Sequence, residues 1–268
     1  MRKIGGFSIF RSIFRTMDMK ILITNDDSIN APGLKVLADC ASGFGEITIV
    51  APETPQSAKS SAITVNESLW IKEREDYGDV KVYTVNGTPV DCVKLGMHVL
   101  YGEEKPDLVL SGINHGSNSG NSIIYSGTMG AVLEGCTNGV PSVGFSLLHH
   151  SLKADFSLSK QFVREIIRKT IEHPLPYYTA LNVNIPASIV PKGCKVCRAA
   201  RGYWTEEYEQ YDSPHGKPFY MLSGRFVNTE PEAKDTDVYW LDQGYISVVP
   251  VTPDMNNVSV ISDFEEIY

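Results

Sequence analysis

Apolar β-formers run together at residues 20–25 (KILITN) and 46–51 (EITIVA). Between them Leu34, Leu37, Ala38 and Ala41 fall at helical spacing within 33–44. Strand, helix and strand with short joints form a βαβ unit, which implies parallel pairing and a right-handed crossover. The alternation continues. Residues 62–71 and 80–85 read as strands of a hairpin or sheet extension, after a polar loop at 52–61. Thr88, Pro89 and Asp91 form a helix start, with a capping hydroxyl, proline at the first position and an acid in the first turn. That helix runs to about Tyr101. Further strands are expected at 107–111, 141–147 and 178–185, and further helices at 126–138, stopped by Gly139, and at 156–173. Such alternation predicts an open, mostly parallel α/β sheet with helices on both faces.

From about Cys194 the pattern changes. Tyr203, Trp204, Tyr208, Tyr211, Phe219 and Tyr220 crowd among charges and turns, which suggests hairpins packed on another surface. A subunit contact and a cap on the same sheet both fit. The first nineteen residues mix arginines with short apolar stretches and lack the continuous apolar core of a leader. They read as an over-extended start or a disordered tail, with Met17 and Met19 just ahead of the first strand. One domain over 20–268 is expected, with its α/β core at 20–190 and hairpins and final strands at 191–268.

Composition narrows the function classes. A formal net charge of −8 over 268 residues argues against general binding of long nucleic acids, which needs a basic face. A small phosphorylated substrate remains open, because a bound cation supplies local positive charge. No apolar run approaches the ~18 residues of a membrane span. Five cysteines, an odd number spread along the chain, fit reduced thiols in the cytoplasm. Cys194 and Cys197 form a lone CxxC without the second ligand pair that zinc needs.

The chemistry collects where the strands end. In open α/β sheets ligands bind outside the carboxyl ends of the strands. After the first strand come Asn25, Asp26 and Asp27; after the second, Ser57, Lys59, Ser60 and Ser61; after DLVLS, Asn114 and Asn118. Adjacent carboxylates with hydroxyl and amide oxygens suit Mg²⁺, Mn²⁺ or Ca²⁺ rather than zinc. On the pair alone, capping of the turn into the first helix serves equally; oxygen donors on two later loops favour a cation. Ser126, Gly127 and Thr128 open a helix whose unpaired N–H groups and dipole suit a phosphate. A plain hydroxyl cap is the alternative reading. Cation plus phosphate cradle is the equipment of a phosphoester hydrolase.

Two rivals fit less well. A receiver domain would place a phosphate-accepting aspartate after its PDLVL-type strand, where this chain has Ser111–Gly112–Ile113–Asn114. A haloacid-dehalogenase-like phosphatase would need DxD in place of adjacent acids.

Five stretches resemble the SurE family, the survival-protein 5′/3′-nucleotidases: ILITNDDSINAPG (21–33), VAPETPQSAKSSAIT (50–64), GTPVDCVKLG (87–96), PDLVLSGINHGSNSGNSIIYSGTMGAVLEG (106–135) and GYISVVP (244–250). They occur in family order and span nearly everything after residue 19. The resemblance implies a three-layer α/β/α sandwich with a Rossmann-like sheet and a C-terminal hairpin and tail for a homodimer or homotetramer. It implies Asp26, Asp27, Ser57 and Asn114 as ligands of one Mg²⁺ or Mn²⁺, with Asp26 and Asp27 also catalytic. Asn25, Asn118, Ser126, Gly127 and Thr128 would contact substrate phosphate. The implied activity is hydrolysis of nucleoside 5′- and 3′-monophosphates; a broad acid-type phosphatase or exopolyphosphatase, or a non-catalytic nucleotide sensor, are the alternatives. Three departures stand out. Ser28 replaces the family's usual glycine and is strained if that position needs positive φ. Gln56 precedes Ser57 where a basic residue is common. His115 occupies a variable position and reads as a solvated loop residue rather than a proton donor to a leaving group.

Overall fold

A strand buried on both faces needs a near-continuous apolar run, and KILIT supplies one in β1 (Lys20–Thr24). The computed structural model of the chain describes residues 19–75, 80–151, 153–265 and 267–268. The expected N-terminal extension, apart from Met19, lies outside them. Strand alternation sends Ile21 and Ile23 into one apolar cluster and Leu22 into another. The first cluster takes Leu34 and Leu37 of α1 (Pro32–Ala41) and Ile166 and Ile167 of α4 (Lys160–Glu172). The second takes Cys92 and Val93 of α2 (Pro89–Gly96) and Ala131 of α3 (Gly127–Thr137). Helices therefore cover both faces, as an α/β/α sandwich requires.

The central sheet runs β3 (Ile71–Arg74), β4 (Lys81–Val85), β2 (Glu46–Pro52), β1, β5 (Leu108–His115), β6 (Ser142–Leu147), β7 (Ala180–Ile185), β13 (Ile246–Val251), β8 (Cys194–Val196). Pairing is parallel except for β3 with β4 and β13 with β7. β1 lies between β2 and β5, so the chain first winds outward on one side and then returns to wind on the other. The crevice at the carboxyl ends of β1 and β5 is the topological switch point, where open α/β sheets hold ligands.

Local differences from the sequence reading have visible causes. Of residues 62–71 only Ile71 joins a strand. Thr64 instead donates its amide and hydroxyl to the two carboxylate oxygens of Asp91 (3.0 and 2.6 Å), and the Ala62 carbonyl accepts from the Thr88 hydroxyl (2.7 Å). The segment is spent on the start of α2, where Thr88 and Asp91 form a reciprocal capping box. Beyond Gly96 that helix continues as a π-helical turn, Met97–Tyr101. β5 does not stop at Ser111. It shifts register between Ser111 and Asn114 and pairs on to His115. Gly112 makes this possible: its φ is +122°, and a Cβ there would lie 2.3 Å from the Phe145 carbonyl oxygen.

After β8 the chain forms an arm. β9 (Gly202–Thr205) pairs with β12 (Arg225–Asn228), and between them β10 (Tyr208–Asp212) pairs with β11 (Pro218–Leu222). Every residue of β10 and β11 is exposed. The chain then passes through α5 (Asp237–Asp242) into β13 and ends in α6 (Ile261–Glu265). Among the described residues no helix is long and apolar enough to cross a membrane.

Candidate active site

The turn after β1 sets the pair. Asn25, fully buried, donates its amide to the Ser28 carbonyl (2.9 Å), and the Ile29 amide reaches the Pro52 carbonyl at the end of β2 (2.9 Å). Ser28 has φ +87°, so a serine stands in the left-handed region that favours glycine. α1 begins with Ala31 as N-cap and Pro32 at its first position, with no side-chain cap. Neither aspartate caps α1; both side chains turn to the switch point.

Asp26 is 5 % exposed and its Oδ1 accepts from the Thr128 hydroxyl at 2.6 Å. Gly127 lets α3 approach, since a Cβ there would lie 2.9 Å from Asp26 Cβ. Burial pushes the Asp26 carboxyl up to about 6; the Thr128 hydroxyl opposes the rise and the neighbouring Asp27 charge adds to it. Asp27 has a different environment. Its Oδ2 accepts from the His115 backbone amide at 3.1 Å and lies 2.9 Å from His115 Nδ1. The His115 side chain is 2 % exposed, which corrects its reading as a solvated loop residue. The bulge in β5 is the cause: it keeps His115 in the sheet and turns it under Asp27.

The other expected residues fall around this pair in different ways. The Gln56 amide donates to the Asp26 carbonyl (2.7 Å), which brings the exposed Ser57 to the rim. Ser60 fastens the same loop to the segment before α3, through its hydroxyl to the Ile124 carbonyl (2.6 Å) and its amide to the Tyr125 carbonyl (3.2 Å). Asn114 points its amide at the Gly116 carbonyl (2.9 Å), leaving Oδ1 as the end available to a ligand. Ser126 caps α3, its hydroxyl accepting from the Met129 amide (3.1 Å). Thr128 is committed to Asp26, so the α3 N-terminus faces a carboxylate of the chain itself. Among the described residues, neither Ser57 nor Asn114 hydrogen-bonds either aspartate.

Asn118 sits deeper. Its Nδ2 donates to the Ser146 hydroxyl, its amide to Asn184 Oδ1, and its carbonyl accepts from Asn182 Nδ2, each at 2.8 Å. Asn182 and Asn184 were not singled out in the sequence. Their signal is the alternation in ALNVNI, which puts two amides on one face of a buried strand.

The donor set is oxygen throughout. Among the described residues no three His, Cys, Asp or Glu side chains gather as a metal site, so a cation here must draw on hydroxyl and amide oxygens beside the two carboxylates. Such a set fits a hard divalent ion. Among the described residues Asn25 Oδ1 is buried without a hydrogen-bond partner.

Fold and site together define a doubly wound α/β protein with an acidic pair at its switch point, facing a helix N-terminus. The chain belongs to the family described as Survival protein SurE, whose pattern matches residues 21–206. It is 45% identical over 250 residues to a 5′-nucleotidase SurE of Christiangramia forsetii, covering 91% of this chain and 94% of that protein. A 5′-nucleotidase SurE of Flavobacterium johnsoniae is also 45% identical, over 238 residues, 88% of this chain and 91% of that protein. The crystal structure of the SurE protein from Aquifex aeolicus superposes with a TM-score of 0.78 at 35% identity, covering 92% of this chain and 99% of that one.

Proposed function

We propose that the chain is a phosphoric monoester hydrolase, a 5′-nucleotidase that also accepts 3′-monophosphates and uses one Mg²⁺ or Mn²⁺. The observation that carries this is Asp26, a buried carboxylate beside Asp27 at the switch point, with the N-terminus of α3 against it. The relatives' activity supports the substrate class. Asp26, Asp27, Ser57 and Asn114 would hold the cation. When bound it polarises the phosphoryl group and makes a water more acidic. The residues of the chain do the rest. The start of α3, Ser126 to Thr128, is the phosphate's side of the site, with Thr128 also fastened to Asp26. Asn25 and Asn118 stand behind them, with the side-chain donors of both committed within the chain, to the Ser28 carbonyl and the Ser146 hydroxyl. One carboxylate of the pair takes the proton of the attacking water.

The exposed aromatics of the arm and the C-terminal tail make the subunit contact of a homodimer or homotetramer, and the protein works in the cytoplasm. The test is phosphate release from 5′-AMP, 3′-AMP, GMP and short polyphosphate with Mn²⁺, Mg²⁺ or EDTA, against Asp27→Ala. Release from the nucleotides that EDTA and Asp27→Ala abolish is expected. Release that survives EDTA contradicts the role of the cation, and polyphosphate as the sole substrate contradicts the nucleotidase.

A further inference from the structure

His115 touches the aspartate pair, and the proposed chemistry gives it no task. Its ring is nearly fully buried, and it stands edge-on to Phe156, with centroids 5.4 Å apart and planes at 90°. Phe156 belongs to the main apolar cluster, so the ring plane is fixed from the core side. From the site side it is fixed by Asp27. Backbone amide and Nδ1 of His115 converge on the same oxygen, Oδ2, at 3.1 and 2.9 Å. An ionised carboxylate has no proton to give, so beside a charged Asp27 Nδ1 carries the proton of this contact. Both donors occupy Oδ2, which leaves Oδ1 of Asp27 unclaimed by His115. Among the described residues His115 Nε2 is buried without a partner, so the ring's hydrogen bond there is the one to Asp27.

We infer that His115 is a positioning residue that holds Asp27 in the orientation the cation needs. The inference rests on the proposed cation site. The physical need is local. Asp26 is buried and fastened by Thr128, whereas the Asp27 side chain is 14 % exposed and would relieve repulsion by swinging into water. Two convergent donors remove that freedom before the cation arrives. Partners that orient ligands in this way typically change metal affinity by about 10–100-fold when removed.

Two substitutions separate the hydrogen bond from the packing. His115→Asn keeps a side-chain donor near the Nδ1 position and loses the ring; His115→Phe keeps the ring against Phe156 and loses the donor. Mn²⁺ affinity is read by titration of each metal-free protein, with thermal unfolding in parallel. Binding within a few-fold of wild type in His115→Asn and about 10–100-fold weaker in His115→Phe supports the inference. The reverse order, or equal affinities, overturns it. Nitrogen-15 NMR of the histidines in the unsubstituted protein gives a check without variants. A protonated Nδ1 in the buried ring is expected with and without Mg²⁺, and the Nε2–H tautomer overturns the assignment. A wild-type protein that binds no Mn²⁺ while His115 shows the expected tautomer overturns the cation reading itself, and the inference with it.

Discussion

The switch point and the arm invert each other's rules. Around β1 and β5, polar groups are buried: Asn25, Asp26, Asn118, Thr128, Asn182 and Asn184 are all withdrawn from water. Along β10 and β11, apolar groups are exposed: Tyr208, Phe219, Tyr220, Met221 and Leu222 stand in solvent on a two-stranded ribbon. A buried carboxylate costs free energy unless something compensates it, and an exposed aromatic strip gains nothing until something covers it. The first region suits a small charged ligand, and the second suits a covering surface. The comparison teaches where each kind of function sits. Chemistry lies where the fold withdraws polar atoms, and contact lies where it leaves apolar ones out.

The largest effect that could break this contrast is on Asp26. Its carboxyl is raised from an ordinary 3.8 to about 6 by burial. A raised group favours the folded state when protonated, so its contribution is complete below about pH 4 and is lost as pH rises through about 6. In EDTA, Asp26→Asn should therefore match wild type near pH 4 and exceed it by about 3 kcal/mol near pH 8. Urea unfolding across that range checks it, and a variant less stable than wild type at pH 8 would show that the buried charge supports the fold. Next comes Ser28→Gly. Relief of a left-handed serine should stabilise by about 1 kcal/mol net of the added freedom of the unfolded chain, read as a rise in Tm. No rise would mean the turn holds its φ without strain. Smallest is the arm. Paired changes Phe219→Ser and Tyr220→Ser should move the chain's own unfolding by less than about 0.5 kcal/mol each, as exposed positions do. Light scattering should nonetheless report a smaller assembly. A large stability loss with unchanged mass would place these aromatics in the core and end the contrast.

How much of this was legible in the sequence differs by region. The sheet core was readable because β1 and β2 carry nearly continuous apolar β-formers and because Thr88, Pro89 and Asp91 announce a helix start locally. Residues 62–71 misled because their partner is a side chain, Asp91, and strand propensity does not register that competition. The end of β5 was hidden by Gly112, which looks like a loop residue and works as a bulge. At the site, the two aspartates were evident from spacing and resemblance. Their partners Thr128 and His115 lie about 100 and 90 positions away, and only the register of β5 and the docking of α3 bring them in. Ser57 follows Gln56, whose amide meets the Asp26 carbonyl, and Asn114 precedes His115, whose amide meets Asp27; among the described residues neither hydrogen-bonds an aspartate itself. Asn182 and Asn184 leave only the alternation of ALNVNI as a signal, which gains meaning once Asn118 is seen leaning on them.

The central claim is that the aspartate pair is half of a cation site. Calorimetric titration of the metal-free protein with Mn²⁺ tests it most directly, run on wild type and Asp26→Asn side by side. The account predicts one Mn²⁺ per chain in wild type and no measurable binding in the variant. Equal binding by both proteins, or a wild type that hydrolyses 5′-AMP while binding none, would contradict it.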